Sequence, residues 1–103
     1  MMYKLKAVEV VRHPVLHLTF EDGLAGEIDL SADIARGPAL EPLKDVAFFQ
    51  TARMTDDGYA YGWRLDDLNH EIDFSADAAR ADIELAIVKQ LAAGHRAHKT
   101  AAE

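Results

Sequence analysis

The sequence predicts an α+β domain: a small antiparallel sheet built from β-hairpins, short helices between the hairpins, and one long C-terminal helix. Three observations carry this. Apolar and polar residues alternate over 8–10 and 15–20, the period of a half-buried strand. Two Asp-Gly turns, Asp22-Gly23 and Asp57-Gly58, separate β-type runs at places where glycine takes a positive φ without steric cost. After Ser75 the composition shifts to Ala, Leu, Ile, Glu and Lys, mostly strong helix formers. A chain of 103 residues makes one domain. It is expected to span 1–94, with 95–103 as a frayed polar tail.

Taken in order, Pro14 divides the first two runs. It lacks a donor, so it suits a strand's first residue or an edge. Residues 26–30 return onto the second strand, which places Leu16, Leu18 and Phe20 on one face with Ile28 and Leu30 beside them. Ser31 reads as an N-cap, Asp33 lies in the first turn and Gly37-Pro38 is the stop, giving one or two helical turns over 31–36. Pro42 suits a first helical position and opens 43–49. There Leu43, Ala47 and Phe48 can share a face, Phe49 points elsewhere or lies in a frayed last turn, and the helix is expected to pack through Leu43 and one phenylalanine. A short strand over 50–54 ends at Asp56-Asp57-Gly58, and 59–64 is its return. That return carries Tyr59, Tyr61 and Trp63 at period two. Residues 68–73 form a further short strand. Ser75 caps a helix over 76–93, Asp77 complements its dipole, and Gly94 is the natural residue to end it.

The formal charge is −7, from 11 Lys+Arg against 18 Asp+Glu, so the long-range field repels nucleic-acid phosphates and anionic membranes. The absence of cysteine excludes disulfides, thiolate zinc sites and thiol nucleophiles. No apolar run approaches the ~20 residues of a membrane span. Charges near the start argue against a signal peptide, and a cytoplasmic setting is expected. No P-loop, G-x-G-x-x-G or nucleophile-elbow motif occurs. His13 and His17 flank Pro14, while His95 and His98 neighbour Arg96 and Lys99, which oppose a cation. No metal site is expected at either pair. Asp56, Asp57, Asp66 and Asp67 lie at turns, where carboxylates stay in water and their pKa values are not driven apart. Calcium-loop spacing is absent. Neither a catalytic residue nor a cofactor is expected.

The ordered series Pro14-Val15-Leu16-His17-Leu18-Thr19-Phe20-Glu21-Asp22-Gly23, Gly26-Glu27-Ile28-Asp29-Leu30, Gly37-Pro38-Ala39-Leu40-Glu41-Pro42-Leu43-Lys44-Asp45 with Phe48-Phe49, and Tyr61-Gly62-Trp63 resembles the small bacterial family called domain of unknown function 2442. The likeness extends over roughly residues 5–80. It implies a compact α+β domain with an antiparallel sheet and no catalytic residue. Members often sit beside a small toxin-like protein in what look like toxin–antitoxin pairs, and some carry a C-terminal helix-turn-helix. The resemblance therefore implies an antitoxin-like, non-enzymatic binding or regulatory role with a small protein partner. Two features depart from the pattern. Arg64-Leu65-Asp66-Asp67-Leu68 follows Trp63 where the family has a short Asn-Gly-type turn, and the helix from Ala76 lies at or beyond the family's usual end. Nothing after Gly94 is long enough for a recognition helix.

At 100° per residue, Ile83, Ile87, Leu91 and Val88 sweep about 140° of the last helix, and Leu85 widens the arc to about 200°. One domain face covers only ~100°. The surplus predicts a contact with a partner or a second copy through Leu85, Val88 and Ala92, while Ile83 and Ile87 face the home sheet. Tyr59, Tyr61 and Trp63 are a second candidate partner-binding set, because Tyr and Trp favour interface hot spots; the same spacing equally describes a core face. The alternative function is a DNA-binding autorepressor using Arg80, Lys89, Arg96 and Lys99. From Lys89 to Lys99 there is no acidic residue, and the cations of that stretch also suit the negative end of the helix dipole.

Overall fold

The alternating runs become strands β1 (Leu5–Arg12) and β2 (Val15–Phe20), joined by a tight turn at His13-Pro14, and β3 (Ala25–Asp29) completes an antiparallel sheet in the order β1-β2-β3. The computed structural model describes residues 3–67 and 69–102, with the backbone alone for 94–102. Val8 pairs with Leu18, and Leu16 with Ile28, so β2 is the central strand. Leu16, Leu18 and Phe20 are buried, as the alternation predicts, and Leu30 joins them while Ile28 packs at the margin. Gly23 closes the β2–β3 turn at φ 96°, the left-handed region that glycine enters freely.

Helix α1 (Ser31–Ala35) covers the predicted 31–36 but for its last residue, and its N-cap position is Leu30, one residue before the one the sequence predicts. Ser31 is its first residue and not its cap. Asp29 supplies the polar group instead: its Oδ1 accepts from Ser31 N at 2.9 Å and from the Ser31 hydroxyl at 2.6 Å. The helix predicted over 43–49 is also divided. A 3-10 segment (Pro38–Lys44) ends at Asp45, whose backbone is extended, and helix α2 (Val46–Phe49) restarts after it. Pro38 and Pro42 donate no hydrogen bonds, and the Asp45 carboxylate accepts from Ala47 N and Phe48 N, an N-cap that competes with a continuous helix. The restart changes the phase. Phe49, not Phe48, enters the core beside Leu43, and Phe48 stays half-buried under the Arg64 guanidinium.

A second antiparallel sheet holds β4 (Arg53–Met54), β5 (Ala60–Trp63) and β6 (Ile72–Ser75) in that order. β4 is shorter than the predicted 50–54. The amides of Gln50, Thr51 and Ala52 bond back to Val46, Phe48 and Phe49, so they continue the helical turn and cannot join a ladder. The strand expected over 68–73 lies at 72–75, with Trp63 opposite Ile72; Leu68 is outside the described residues. The two sheets meet where β1 lies against β4 and Leu5 N donates to Gly58 O at 2.8 Å. One core joins both sheets, drawing Leu5, Leu16, Leu18 and Phe20 from the first and Tyr61 and Trp63 from the second.

Helix α3 (Ala76–Ala102) follows β6 directly. Ser75 Oγ accepts from Ala78 N at 3.3 Å, the predicted cap. Among the described residues no helix is long and apolar enough to cross a membrane. The helix passes through Gly94, where the sequence predicts its end. Glycine inside a helix costs only about 1 kcal/mol relative to alanine, and here Ala92, Ala93 and Ala97 flank it.

Candidate partner-binding face

The candidate face is built by how α3 is seated. Gly26 of β3 lets the helix come close: a Cβ there would lie 2.6 Å from Ile83 Cγ2. Ala76, Ala79 and Ile83 are buried against the sheets and Ile87 packs at the edge of the core. Asp77 in the first turn accepts from Tyr3 N at 2.9 Å, which ties the start of the chain to the helix. This leaves the opposite side of α3 uncovered. Leu85 is 53 % exposed, Val88 60 % and Leu91 69 %, with Ala92 exposed beside them. The division foreseen from spacing therefore holds within the single chain: Ile83 and Ile87 face home, while Leu85, Val88 and Ala92 face out. Leu91, which the sequence places in the apolar arc of about 140° without assigning it a side, is the most exposed large apolar residue among those described.

The aromatic set is elsewhere, on β5 and the turn before it, and most of it is core. Tyr61 is 3 % exposed and Trp63 0 %. Trp63 Nε1 donates to Phe49 O at 2.9 Å, and its ring packs on Phe49 and edgewise on Phe74. Tyr61 stacks on Phe74 at 5.6 Å, and burial pushes its phenol pKa upward, with the charges of Asp82 and Asp33 adding to the effect. Neither ring is available to a partner, which corrects their assignment as partner-binding residues: the period-two aromatics point into the space between β5, β6 and α2. Tyr59 is half-buried, with the Lys4 ammonium 5.7 Å from its ring.

Arg80 is the other correction. Counted among free basic groups by sequence, it is 8 % exposed and grips Asp22 bidentately, Nη1 to Oδ1 and Nη2 to Oδ2, each at 2.9 Å. Its guanidinium lies 4.0 Å from the Tyr3 ring centre and 5.0 Å from that of Phe20. Its Nε faces Glu84 Oε2 at 3.5 Å without hydrogen-bond geometry. Arg80 thus clamps the β2–β3 turn onto α3. Planar bidentate recognition is what a guanidinium does well.

The remaining candidates are structural. His13 Nε2 lies 2.7 Å from Leu43 O and its ring meets Phe49 edge-on. Asp57 is more than an idle surface group: its Oδ1 accepts from the Thr55 hydroxyl at 2.7 Å and from Tyr59 N at 3.0 Å, which orders the turn around Gly58. Asp66 pairs with Arg53, and Asp67 Oδ1 lies 3.2 Å from His70 Nδ1. The side chains of His95, Arg96, His98 and Lys99 lie outside the described residues. Among the described residues no group of three or more His, Asp or Glu is arranged to hold a metal ion. One open groove of about 620 Å³ is walled by Pro38, Ala39, Leu40 and Phe74, with the Asp33–Arg36 ion pair at its rim. Its walls come from segments more than thirty residues apart, so no local sequence signal marks it.

Among the described residues, three carboxylates have pKa values held below the usual range. Asp22 is lowered first by Arg80 and then by Leu24 N, Asp29 by the Ser31 hydroxyl and amide, and Asp57 by the Thr55 hydroxyl and Tyr59 N. A carboxyl whose folded pKa is depressed stabilises the fold above its unfolded pKa, about 3.9 for Asp. That contribution is lost as pH falls through the folded value. The melting temperature is therefore expected to fall on acidification below about pH 4. Asp22→Asn should lower the melting temperature at pH 7 and flatten its acid slope. An unchanged slope in the variant would show that the Asp22–Arg80 clamp does not form.

No family model, no curated protein and no solved structure matches this chain.

Proposed function

We propose that the chain is a non-enzymatic protein-interaction module of antitoxin-like type, working in the cytoplasm, which presents the outer side of α3 to another protein chain. The observation that carries this reading is the exposure of Leu85, Val88 and Leu91, three large apolar side chains within seven residues of one helix. Apolar side chains scattered singly over a surface need no explanation; a contiguous strip does, and protein contact is its commonest use. The resemblance to domain of unknown function 2442 supports the class of partner, a small toxin-like protein. The autorepressor reading loses support, because Arg80 is committed to Asp22 and the net charge is −7. The test is co-expression with the product of the adjacent reading frame. Wild type should retain that product through purification. Val88→Asp and Leu85→Asp should release it while keeping the circular dichroism spectrum of the folded chain, since both side chains are more than half exposed within the single chain. Retention by both variants would overturn the reading.

A further inference from the structure

Resting on the reading of the outer α3 side as an interaction face, we infer that its occupant includes a second copy of this chain, packed antiparallel with Leu85 of each copy against Val88 of the other. At 100° per residue, Ala78, Ala81, Leu85, Val88 and Ala92 fall within an arc of about 80°. That arc lies opposite the face carrying Ala76, Ala79, Ile83 and Ile87, so the home sheets do not obstruct a second helix. All five are exposed. The spacing i, i+4, i+7 and i+11 from Ala81 to Ala92, with one further step of three back to Ala78, follows a coiled-coil seam. Alanine at its two ends lets the backbones approach closely, and Leu85 and Val88 fill the centre.

The flanking charges select the partner and its direction. Asp82 and Lys89 are both exposed and lie seven residues apart along the same edge of the strip. In a parallel pair the same edges fall on opposite sides of the contact, so Asp82 faces the other copy's Asp77 and Lys89 its Glu84, a repulsion beside an attraction. With the two-fold axis between Leu85 and Val88, each Asp82 instead faces the other chain's Lys89, twice per dimer. The antiparallel helix dipoles also attract. An edge that meets itself when reversed, with opposite charges opposed, fits a two-fold antiparallel pair of this chain, in which the same patch serves both subunits.

The chain has no cysteine, so single cysteines report the geometry directly. In the antiparallel pair Ala81 of one copy lies beside Ala92 of the other, while Ala92 lies about 16 Å along the axis from its own counterpart. A disulfide needs Cα atoms within about 7 Å. A mixture of Ala81→Cys and Ala92→Cys chains should therefore cross-link on mild oxidation, and neither variant should cross-link alone. Wild type should sediment as a dimer, and Val88→Asp should weaken the dimer by at least about 100-fold, because it places an unpaired charge at a dry centre. Asp82→Lys and Lys89→Asp alter only exposed side chains. Each alone should weaken the dimer roughly tenfold, and mixing them should restore pairing as a heterodimer. A wild type that stays monomeric at about 100 µM, well above the concentrations of specific pairing, overturns the inference. If Val88→Asp still releases the adjacent reading frame's product in that case, the interaction reading survives and only self-pairing falls. Cross-linking by Ala92→Cys alone would establish a parallel pair and overturn the proposed geometry.

Discussion

Replacing Trp63 by alanine is expected to destabilise the domain by roughly 3–5 kcal/mol. That is a large share of the roughly 5–15 kcal/mol by which small domains are stable. The side chain is fully buried and touches Phe49 of α2 and Phe74 of β6, so it holds the second sheet to the helical segment between the sheets. An alanine leaves a void walled by rings already fixed by other contacts: His13 holds Phe49 on one side, and Tyr61 holds Phe74 on the other. The site has little freedom to collapse, and cavity cost rises with the volume left open. Trp63→Phe separates packing from hydrogen bonding. It keeps an aromatic ring and removes the Nε1 donor, but Phe49 O still accepts from Ala52 N at 3.2 Å. The bond itself is then worth about 1 kcal/mol, and the lost ring volume adds to it. Urea unfolding followed by far-ultraviolet circular dichroism measures both variants, because Trp63 is the only tryptophan and its fluorescence goes with it. An alanine variant within about 0.5 kcal/mol of wild type, the range of ordinary surface changes, would remove Trp63 from the centre of the core.

The elements that could be read from the sequence are those whose period repeats. Leu16, Leu18 and Phe20 alternate with His17 and Thr19, and a one-residue slip would turn the whole apolar set to solvent, so strand and register are specified together. The Asp22-Gly23 and Asp57-Gly58 turns carry their own conformational reason. Helix limits were less legible because the deciding groups are not periodic. Asp45 restarts a helix with a two-pronged cap, Asp29 does the work assigned to Ser31, and the helix crosses Gly94. Which phenylalanine enters the core depended on that restart. A helix drawn straight from Leu43 buries Phe48, whereas the chain as folded buries Phe49.

The candidate face was half legible for the same reason. Spacing alone divided α3 into an inner side with Ile83 and Ile87 and an outer side with Leu85, Val88 and Ala92, because a helix fixes both by its pitch. What spacing could not supply is the distant partner of each polar group. Arg80 counts as a free cation until Asp22, 58 residues earlier, is placed across from it. Tyr61 and Trp63 have an interface composition but a core position. The sequence shows that their side chains share a face, and only the packing of Phe49 and Phe74 shows which way that face looks. The polar clamp and the apolar strip are coupled. With Arg80 and Gly26 holding one side of α3 against the first sheet, the other side stays turned to solvent.

Gly62→Ala is expected to cost about 3 kcal/mol, at the upper end of overpacking effects, although it adds a single methyl group. Gly62 sits in the central strand of the second sheet, paired with Arg53 on one side and Asp73 on the other. A Cβ there would lie 1.9 Å from Ile72 O and 2.8 Å from Asp73 Cα. Both neighbours are backbone, so no side chain can swing aside. β6 must move away from β5, and the hydrogen bonds of that pairing are strained or lost. β6 runs directly into α3, so the displacement passes through Phe74 and Ser75 to the helix that bears the exposed strip. The variant should therefore lose stability and also lose order in α3, seen as faster amide hydrogen exchange over 72–88 than over the first sheet. Gly37→Ala is the control: nothing lies within 4 Å of its added Cβ, and its backbone is extended, so stability should stay within about 0.5 kcal/mol of wild type. Equal stability of the two variants would show that β5 and β6 do not pair as closely as described.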